Sequence, residues 1–302
     1  MTNQTKNSML LMLCALIWGT AFVAQSAGSG MGAFSFLAGR SWMAVLVLLP
    51  TVKAFDALHH RQGRPDGKPK TAAERKLLLK AGLVCGTLLF LASAAQQLGI
   101  TLDPSTAKAG FLTAMYVVLV PVFGLFLGRK GSAQLWVSMA IAVVGLYLLC
   151  LAGRDTLSLT GGEWQLLVCA ILFTAQIMLV NHFSPQLDGI QLSFVQFFVV
   201  SVLSTIFAFV FEAPSPDQFR AAAVSIAYCG IMSSGVAYTL QIVGQKELDP
   251  TIASLAMCLE SVFSALAGWL ILGETLSATE LCGCALMFGA IVVSQLPEKK
   301  RG

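Results

Sequence analysis

Charged side chains are scarce in this sequence. Only 11% of its 302 residues are Asp, Glu, Lys or Arg, whereas soluble domains carry about 25%. The hydrophobic share is 56% and the mean hydropathy is +0.77, which is too apolar for a core wrapped in a polar shell. The composition therefore excludes a soluble globular protein and favours an integral membrane protein.

The signatures of common enzymes are also missing. The sequence contains no HExxH, no GxSxG and no phosphate-binding GxxxxGK[ST], so neither a zinc protease, a serine hydrolase nor an ATP-driven motor is indicated. All eight cysteines lie inside apolar stretches, which does not suit a disulfide framework. Cys282 and Cys284 lack a nearby histidine and are interpreted as packing residues rather than metal ligands. We expect no enzyme, no cofactor and no metal.

Long apolar runs account for most of the chain. A membrane-spanning helix needs roughly 20 apolar residues to cross about 30 Å of hydrocarbon. The sequence predicts an all-α integral membrane protein with ten such helices, at approximately 8–28, 33–53, 77–100, 104–127, 133–152, 162–182, 191–211, 220–243, 250–272 and 277–296.

The basic residues predict the orientation of these helices. If both termini are cytoplasmic, 15 of the 19 Lys and Arg residues fall in cytoplasmic segments and only Arg154 and Arg220 in outside loops, which is a strong positive-inside bias. The basic loop 54–76 is then a cytoplasmic connector. The net charge of +4 reflects this topology and does not indicate nucleic-acid binding.

Two helix starts repeat. Residues 102–107 read LDPSTA and residues 248–253 read LDPTIA, and each combines a capping Asp with Pro at the first helical position. FLGRKGS at 126–132 likewise parallels ILGETLS at 271–277, and LCALI at 13–17 parallels VCAIL at 168–172. The pattern predicts two five-helix repeats, 1–153 and 154–302. Because five is odd, the second repeat would be inverted in the membrane, as in many secondary transporters.

At this level of detail the chain resembles a known family. ALIWGTAF in span 1, an Arg early in span 2 and LES…GWLILGE in span 9 are similar to the EamA branch of the drug/metabolite transporter superfamily. The resemblance covers essentially the whole chain and implies a carrier of amino acids, amines or other small metabolites, often an exporter in bacterial inner membranes. Many family members follow the span 9 glutamate with proline, whereas here Ser261 follows Glu260. The sequence therefore offers no proline to break that helix.

Three ionisable residues lie within spans, where a charge costs roughly 2.5–3.5 kcal/mol on insertion scales. Glu260 falls near the midplane and suits a cavity carboxylate that binds a cation or a proton; the alternative is a structural salt bridge. Arg40 suits a carboxylate or phosphate group, or else a structural acid or backbone carbonyls. Lys108 lies near the outer end of span 4, where it would meet an anionic cargo or snorkel to headgroups.

Other polar and aromatic residues complete the predicted lining. Amides within spans are costly unless they pair between helices or face water, and Trp18, Tyr116 and Tyr238 lie away from span ends. The predicted substrate-binding residues are Trp18, Arg40, Gln97, Lys108, Tyr116, Gln176, Gln196, Tyr238, Gln241 and Glu260.

Together these features predict a secondary-active, alternating-access transporter of a small zwitterionic or amphipathic metabolite such as an amino acid. Arg40 and Glu260 would bind the oppositely charged groups of this cargo. An organic-cation or drug efflux carrier and a channel are the alternatives. We expect a multi-pass protein of the bacterial inner membrane whose partners are its small-molecule substrate and the lipid bilayer. A monomer is expected, with a homodimer as the alternative.

The orientation can be tested with reporter fusions. Alkaline phosphatase fused at Gly302 or within 54–76 should be inactive, because both sites are predicted to be cytoplasmic. The same reporter fused near Arg154 should be active. Activity at Gly302 would imply an odd number of spans and contradict the inverted repeat.

Overall fold

The fold is a bundle of helices. A computed structural model describes residues 3–61, 69, 71–102, 106–128, 131–150, 160–273 and 275–296. Within that part of the chain the α-helices are α1 Asn3–Ala27, α2 Ala33–Arg61, α3 Ala72–Leu102, α4 Thr106–Ala114, α5 Tyr116–Phe126, α6 Ala133–Cys150, α7 Gly161–Phe183, α8 Gly189–Phe211, α9 Pro216–Ala221, α10 Ala223–Tyr228, α11 Tyr238–Gln245, α12 Pro250–Met257, α13 Glu260–Leu272 and α14 Ala278–Gln295. A 3₁₀ turn, Ser184–Gln186, follows α7, and a π-helical segment, Cys229–Ala237, joins α10 to α11.

Eight segments in the described part of the chain are long and apolar enough to cross a membrane, and two further apolar helices are shorter. The shorter ones are Ala133–Leu149 and Ala278–Ser294. The eight longer segments are Asn3–Ala27, Ala33–Ala57, Ala72–Leu102, Ala109–Phe126, Gly161–Gln186, Gly189–Phe211, Ala223–Gln245 and Pro250–Ile271.

The outside of the bundle is apolar. Large hydrophobic side chains are exposed along several helices, including Phe126 at 85%, Val224 at 83% and Phe209 at 74%. In a soluble protein such a surface would be an association or aggregation liability, but in a bilayer it faces lipid tails. The expected all-α membrane architecture is therefore confirmed at this level.

Two helices, α1 and α7, each pack against several others. α1 packs against α12, α13, α11 and the π-helical segment, while α7 packs against α3, α4 and α5. α2 packs on α8, and α6 packs on α14. Polar side chains of α1, α2, α3, α7 and α11 are buried among these contacts, so the polar residues of the spans are turned inward.

The fourth and ninth predicted spans are each divided by a turn. The fourth divides at Met115 into α4 and α5, and the ninth divides at Cys258 and Leu259 into α12 and α13. At the second break the Ser261 N–H bonds to the Cys258 carbonyl at 3.2 Å, a three-residue spacing tighter than the α-helical four. The hydropathy of a segment does not reveal whether its backbone hydrogen bonds are continuous. The sequence therefore predicted an unbroken helix in both spans. The ninth span breaks next to Glu260 even though Ser261 is not proline.

The second of the two repeated helix starts behaves as the sequence predicts. Asp249 is the N-cap of α12, its carboxylate accepts the Thr251 N–H at 2.8 Å, and Pro250 occupies the first helical turn. The first start, at 103–105, lies outside the described residues.

This cap yields a stability prediction. Asp249→Ala should lower the free energy of unfolding by about 1 kcal/mol, because it leaves the first N–H groups of α12 without their acceptor. Thermal unfolding in detergent measures the loss. Asp249→Asn is the matched control, since its amide oxygen can still cap the helix; an equal loss in both variants would contradict a capping role.

Candidate substrate cavity

A cavity lies where several of these helices meet. Its walls come from α1, α2, α3, α4, α5, α7, α11, α12, α13 and the π-helical segment. Pockets with a mostly apolar wall and a few polar groups are typical of small-molecule sites. This cavity has that character, and Arg40 and Glu260 both line it.

Glu260 owes its position to the break in the ninth span. It is the first residue of α13 and is 4% exposed. The Tyr116 hydroxyl donates to its Oε1 at 3.1 Å, and the positive end of the α13 dipole favours an acid in this first turn. These two interactions stabilise a buried carboxyl group that has no basic partner within ion-pair distance in the described part of the chain.

Arg40 reaches the same cavity from α2. It is 3% exposed, its Nη1 donates to Gln25 Oε1 at 3.2 Å, and its Nε has no hydrogen-bond partner. No ion pair within 4.0 Å joins Arg40 to Glu260 or to any other acidic side chain in the described part of the chain. A buried guanidinium with donors to spare suits an anionic group.

Aromatic rings form another part of the wall. The Trp18 and Tyr238 ring centroids are 4.8 Å apart, and Phe197 packs behind Tyr238 with centroids 5.3 Å apart. The indole Nε1 of Trp18 is buried and has no acceptor. A buried Trp normally finds one, so this side of the cavity offers a free hydrogen-bond donor beside two π faces.

Six of the ten residues predicted from sequence line the cavity: Trp18, Arg40, Tyr116, Tyr238, Gln241 and Glu260. Gln176 lies behind it, accepting a hydrogen bond from Gln241 Nε2 at 3.2 Å. Gln97 and Gln196 are buried and are not among the lining residues, and their amide atoms have no partners. The Lys108 side chain lies outside the described part of the chain.

Sequence reasoning missed several lining residues. Both glutamines of span 3 are candidates by their polarity, but Gln96 lines the cavity and Gln97 does not, because hydropathy does not fix the rotation of an apolar helix to within one residue. The sequence could have identified Phe173. If the parallel of 13–17 with 168–172 is continued by one residue, Phe173 occupies the position of Trp18 in the second repeat. The missed residues are Phe22, Gln25, Thr113, Phe173, Ile177, Ser233 and Met257.

Comparison with known proteins gives a consistent picture. The model of the EamA-like transporter family matches residues 6–151 and again 160–295. A protein of Archaeoglobus fulgidus named as an uncharacterized transporter is 28% identical over 288 residues, which is 95% of this chain and 84% of that protein. The uncharacterized transporter YoaV of Bacillus subtilis is 22% identical over 198 residues, or 63% of this chain and 68% of its own length.

A solved crystal structure also has this fold. It matches with a TM-score of 0.75 at 18% sequence identity, covering 96% of this chain and 98% of its own. At that identity the likeness concerns the fold alone.

The position of Glu260 depends on close packing between Gly19 of α1 and the first turn of α13. This packing gives a second stability prediction. A Cβ on Gly19 would lie 2.5 Å from Phe263 Cβ and 2.7 Å from the Glu260 carbonyl oxygen. Gly19→Ala should therefore push α13 away and lower the free energy of unfolding by about 1–3 kcal/mol, measured as a lower melting temperature in detergent.

Gly110→Ala is the matched control. Gly110 faces the same break from α4, but its Cβ would lie 3.5 Å from Ser261 Oγ, an ordinary contact. Gly19→Ala melting at the wild-type temperature would show that this packing does not hold α13 in place.

Proposed function

Because the chain belongs to the EamA-like transporter family, we propose that it is a secondary-active carrier of a small zwitterionic or amphipathic metabolite, such as an amino acid. The chain is a multi-pass membrane transporter and not an enzyme. The proposal concerns its cargo, its mechanism and its arrangement in the membrane.

The observation that carries the proposal is that a basic residue and an acidic residue line the same cavity without contacting each other. Arg40 and Glu260 both line it and are almost fully buried, yet they are not joined by an ion pair. A buried charge without a partner costs several kcal/mol, so each residue gains most from a ligand of opposite charge. A zwitterion supplies a carboxylate for Arg40 and an ammonium group for Glu260 in a single molecule.

We propose ten membrane spans in two inverted repeats, 1–153 and 154–302. The two shorter apolar helices, Ala133–Leu149 and Ala278–Ser294, are at the lower end of the length that crosses a bilayer and bring the eight longer segments to ten. Two separate matches to the same family model support the duplication. Two glycines support it as well. Gly128 ends the FLG segment and Gly273 ends the parallel ILG segment, and they are the only described residues with positive φ, at 75° and 70°.

Helix packing supports the same symmetry. If α7 corresponds to α1, α9–α11 to α3 and α12–α13 to α4–α5, most contacts occur in matched pairs. The contacts of α1 with α12 and α13 match those of α7 with α4 and α5, and the contact of α1 with α11 matches that of α7 with α3. The contacts of α2 with α8 and of α6 with α14 map onto themselves. A pair of related halves around a central site is the arrangement through which many carriers alternate access.

We propose that both termini face the cytoplasm, that the protein resides in a bacterial inner membrane and that it exports its cargo. The distribution of Lys and Arg supports the orientation. The absence of a Walker motif in the sequence supports coupling to an ion or cargo gradient rather than to ATP.

An organic-cation efflux carrier is the second candidate. The Trp18–Tyr238 ring pair and Glu260 line one cavity, and cation–π attraction adds about 0.5–2 kcal/mol to binding of a cation. Such a carrier would not need Arg40 as a cargo ligand. A channel would differ from both by lacking counterflow, the uptake of labelled cargo driven by unlabelled cargo on the other side of a proteoliposome.

The two carrier hypotheses predict different selectivity. For reconstituted wild-type protein, an amino acid should compete for counterflow better than either its decarboxylated amine or its deaminated acid. Arg40→Gln should remove the preference over the amine, and Glu260→Gln should remove the preference over the acid. Each loss should be about 30-fold, because breaking one partner of a buried charge pair costs about 2 kcal/mol or more.

The experiment requires a Glu260 variant that folds and a control variant at the protein surface. Glu260→Gln keeps an oxygen that can accept from Tyr116, so the variant is expected to fold. Asp217→Asn is the matched control, because Asp217 is 88% exposed and pairs only with Arg220 at the surface. A wild type that prefers the amine would favour the organic-cation carrier, whereas Glu260→Gln that loses only proton-driven accumulation would make Glu260 a proton carrier and not a cargo ligand.

A further inference from the structure

Several glutamines between the cavity and one end of the bundle lack hydrogen-bond partners. Gln245 is 0% exposed, and neither atom of its amide is paired. The Nε2 of Gln176 and the Oε1 of Gln241 are also unpaired, although these two residues bond to each other at 3.2 Å. Buried polar groups are nearly always paired, so each exception needs an explanation.

These three glutamines continue from the cavity. Gln241 lines it, Gln176 lies directly behind Gln241, and Gln245 follows one turn further along α11. Beyond them, Asn181 of α7 donates to the carbonyl oxygens of Gln245 at 3.3 Å and Leu248 at 2.8 Å. Gln241 and Gln245 share one face of α11 because they are four residues apart, and Gln176 and Asn181 of α7 contact α11 beside them.

The end of α11 beyond Gln245 lies beside the start of α1. The Asn3 side chain donates to Glu247 at 3.5 Å, and α1 packs so tightly on α11 that a Cβ on Gly244 would lie 2.8 Å from Leu11 Cδ2. At the end of the bundle that carries the start of α1, two contacts hold α11 against its neighbours: Leu11 against Gly244, and Asn181 against the carbonyls of Gln245 and Leu248.

Apolar residues would stabilise this closed arrangement better than unpaired amides. Leucine in place of Gln245 would remove two unsatisfied polar atoms without removing a hydrogen bond, a change that is neutral or stabilising in a core. A second arrangement of the same helices, in which these amides have partners, would explain why they are retained.

We propose that Gln176, Gln241 and Gln245 line a route by which cargo passes between the cavity and the end of the bundle where α1 begins. The route is closed in this structure by the Leu11 and Asn181 contacts. When these contacts open, water and the polar groups of the cargo become the missing partners of the amides. The inference rests on the proposed function, because it assumes a zwitterionic cargo that must leave the cavity.

Water access along the route can be measured without any cargo. In a cysteine-free protein that retains transport, Gln245→Cys should react with a charged, water-soluble thiol reagent. Only a thiolate in contact with water reacts readily, and a cysteine in a dry core is inert. Ser138→Cys is the matched control: Ser138 is also 0% exposed and unpaired, but it lies on α6, which contributes nothing to the cavity wall.

Gln245→Cys should be modified about tenfold faster than Ser138→Cys, since opening of the route exposes one position and not the other. Equal rates at the two positions would overturn the proposal.

A second measurement separates passage from binding. Gln245→Leu should slow exchange of the cargo about tenfold, the effect of one lost hydrogen bond along the route, while the affinity at the cavity changes little. Its melting temperature in detergent should equal or exceed that of the wild type. Ser138→Ala, which also removes an unpaired buried group, should leave exchange unchanged.

Normal exchange by a well-folded Gln245→Leu would mean that the amide belongs to the core alone and would overturn the route. If this variant does not fold, the labelling rates decide. A wild type that moves no zwitterion contradicts the proposed function instead, and that result is distinct because thiol labelling reports on the route without cargo.

Discussion

Polar groups surrounded by hydrocarbon cost several kcal/mol each unless they find a partner, and the arrangement of this bundle follows from that cost. The surface carries large apolar side chains such as Phe126 and Phe209. The polar side chains of the spans turn inward, and no single pair of helices could satisfy them all. They converge instead on the centre, where α1 and α7 each contact several neighbours, and the cavity lies at this convergence.

The interrupted helices determine what the cavity contains. A continuous ninth span would place Glu260 in mid-helix, where neighbouring turns already use the backbone donors. The break at Leu259 puts it instead in the first turn of α13, where the helix dipole favours an acid and the Tyr116 hydroxyl reaches it. Ser261 connects this break to α4 by donating to the Gly110 carbonyl at 3.1 Å. The backbone thus compensates part of the cost of a buried carboxylate that has no basic partner.

Some of the unsatisfied polar groups lie where a carrier would need them. Arg40 keeps an unpaired Nε, Trp18 an unpaired Nε1 and Gln241 an unpaired Oε1, and all three residues line the cavity. Two other glutamines, Gln176 and Gln245, extend this character away from it. A protein that works by exchanging one closed arrangement for another must hold polar groups that are satisfied only part of the time, and its stability is lower for that reason.

The sequence by itself determined the solvent, the helical architecture and the transporter class. Membrane helices require long apolar runs, and such runs are visible without any knowledge of contacts. It also predicted the Asp249 cap, because capping is local and needs only residues adjacent along the chain. Six cavity residues were found in the same way, since an ionisable or polar side chain inside a span has few other places to go.

The tertiary structure alone decided which face of each helix meets the cavity. Gln96 lines it and Gln97 does not, although they are neighbours, because helix rotation depends on packing against other helices and hydropathy is nearly uniform around these spans. It also decided the break beside Glu260, where Gly19 and Gly110 pack against α13 and where no proline is present in the sequence. Whether Arg40 and Glu260 share one cavity was likewise beyond the sequence, because residues 220 positions apart are brought together only by the packing of the whole bundle.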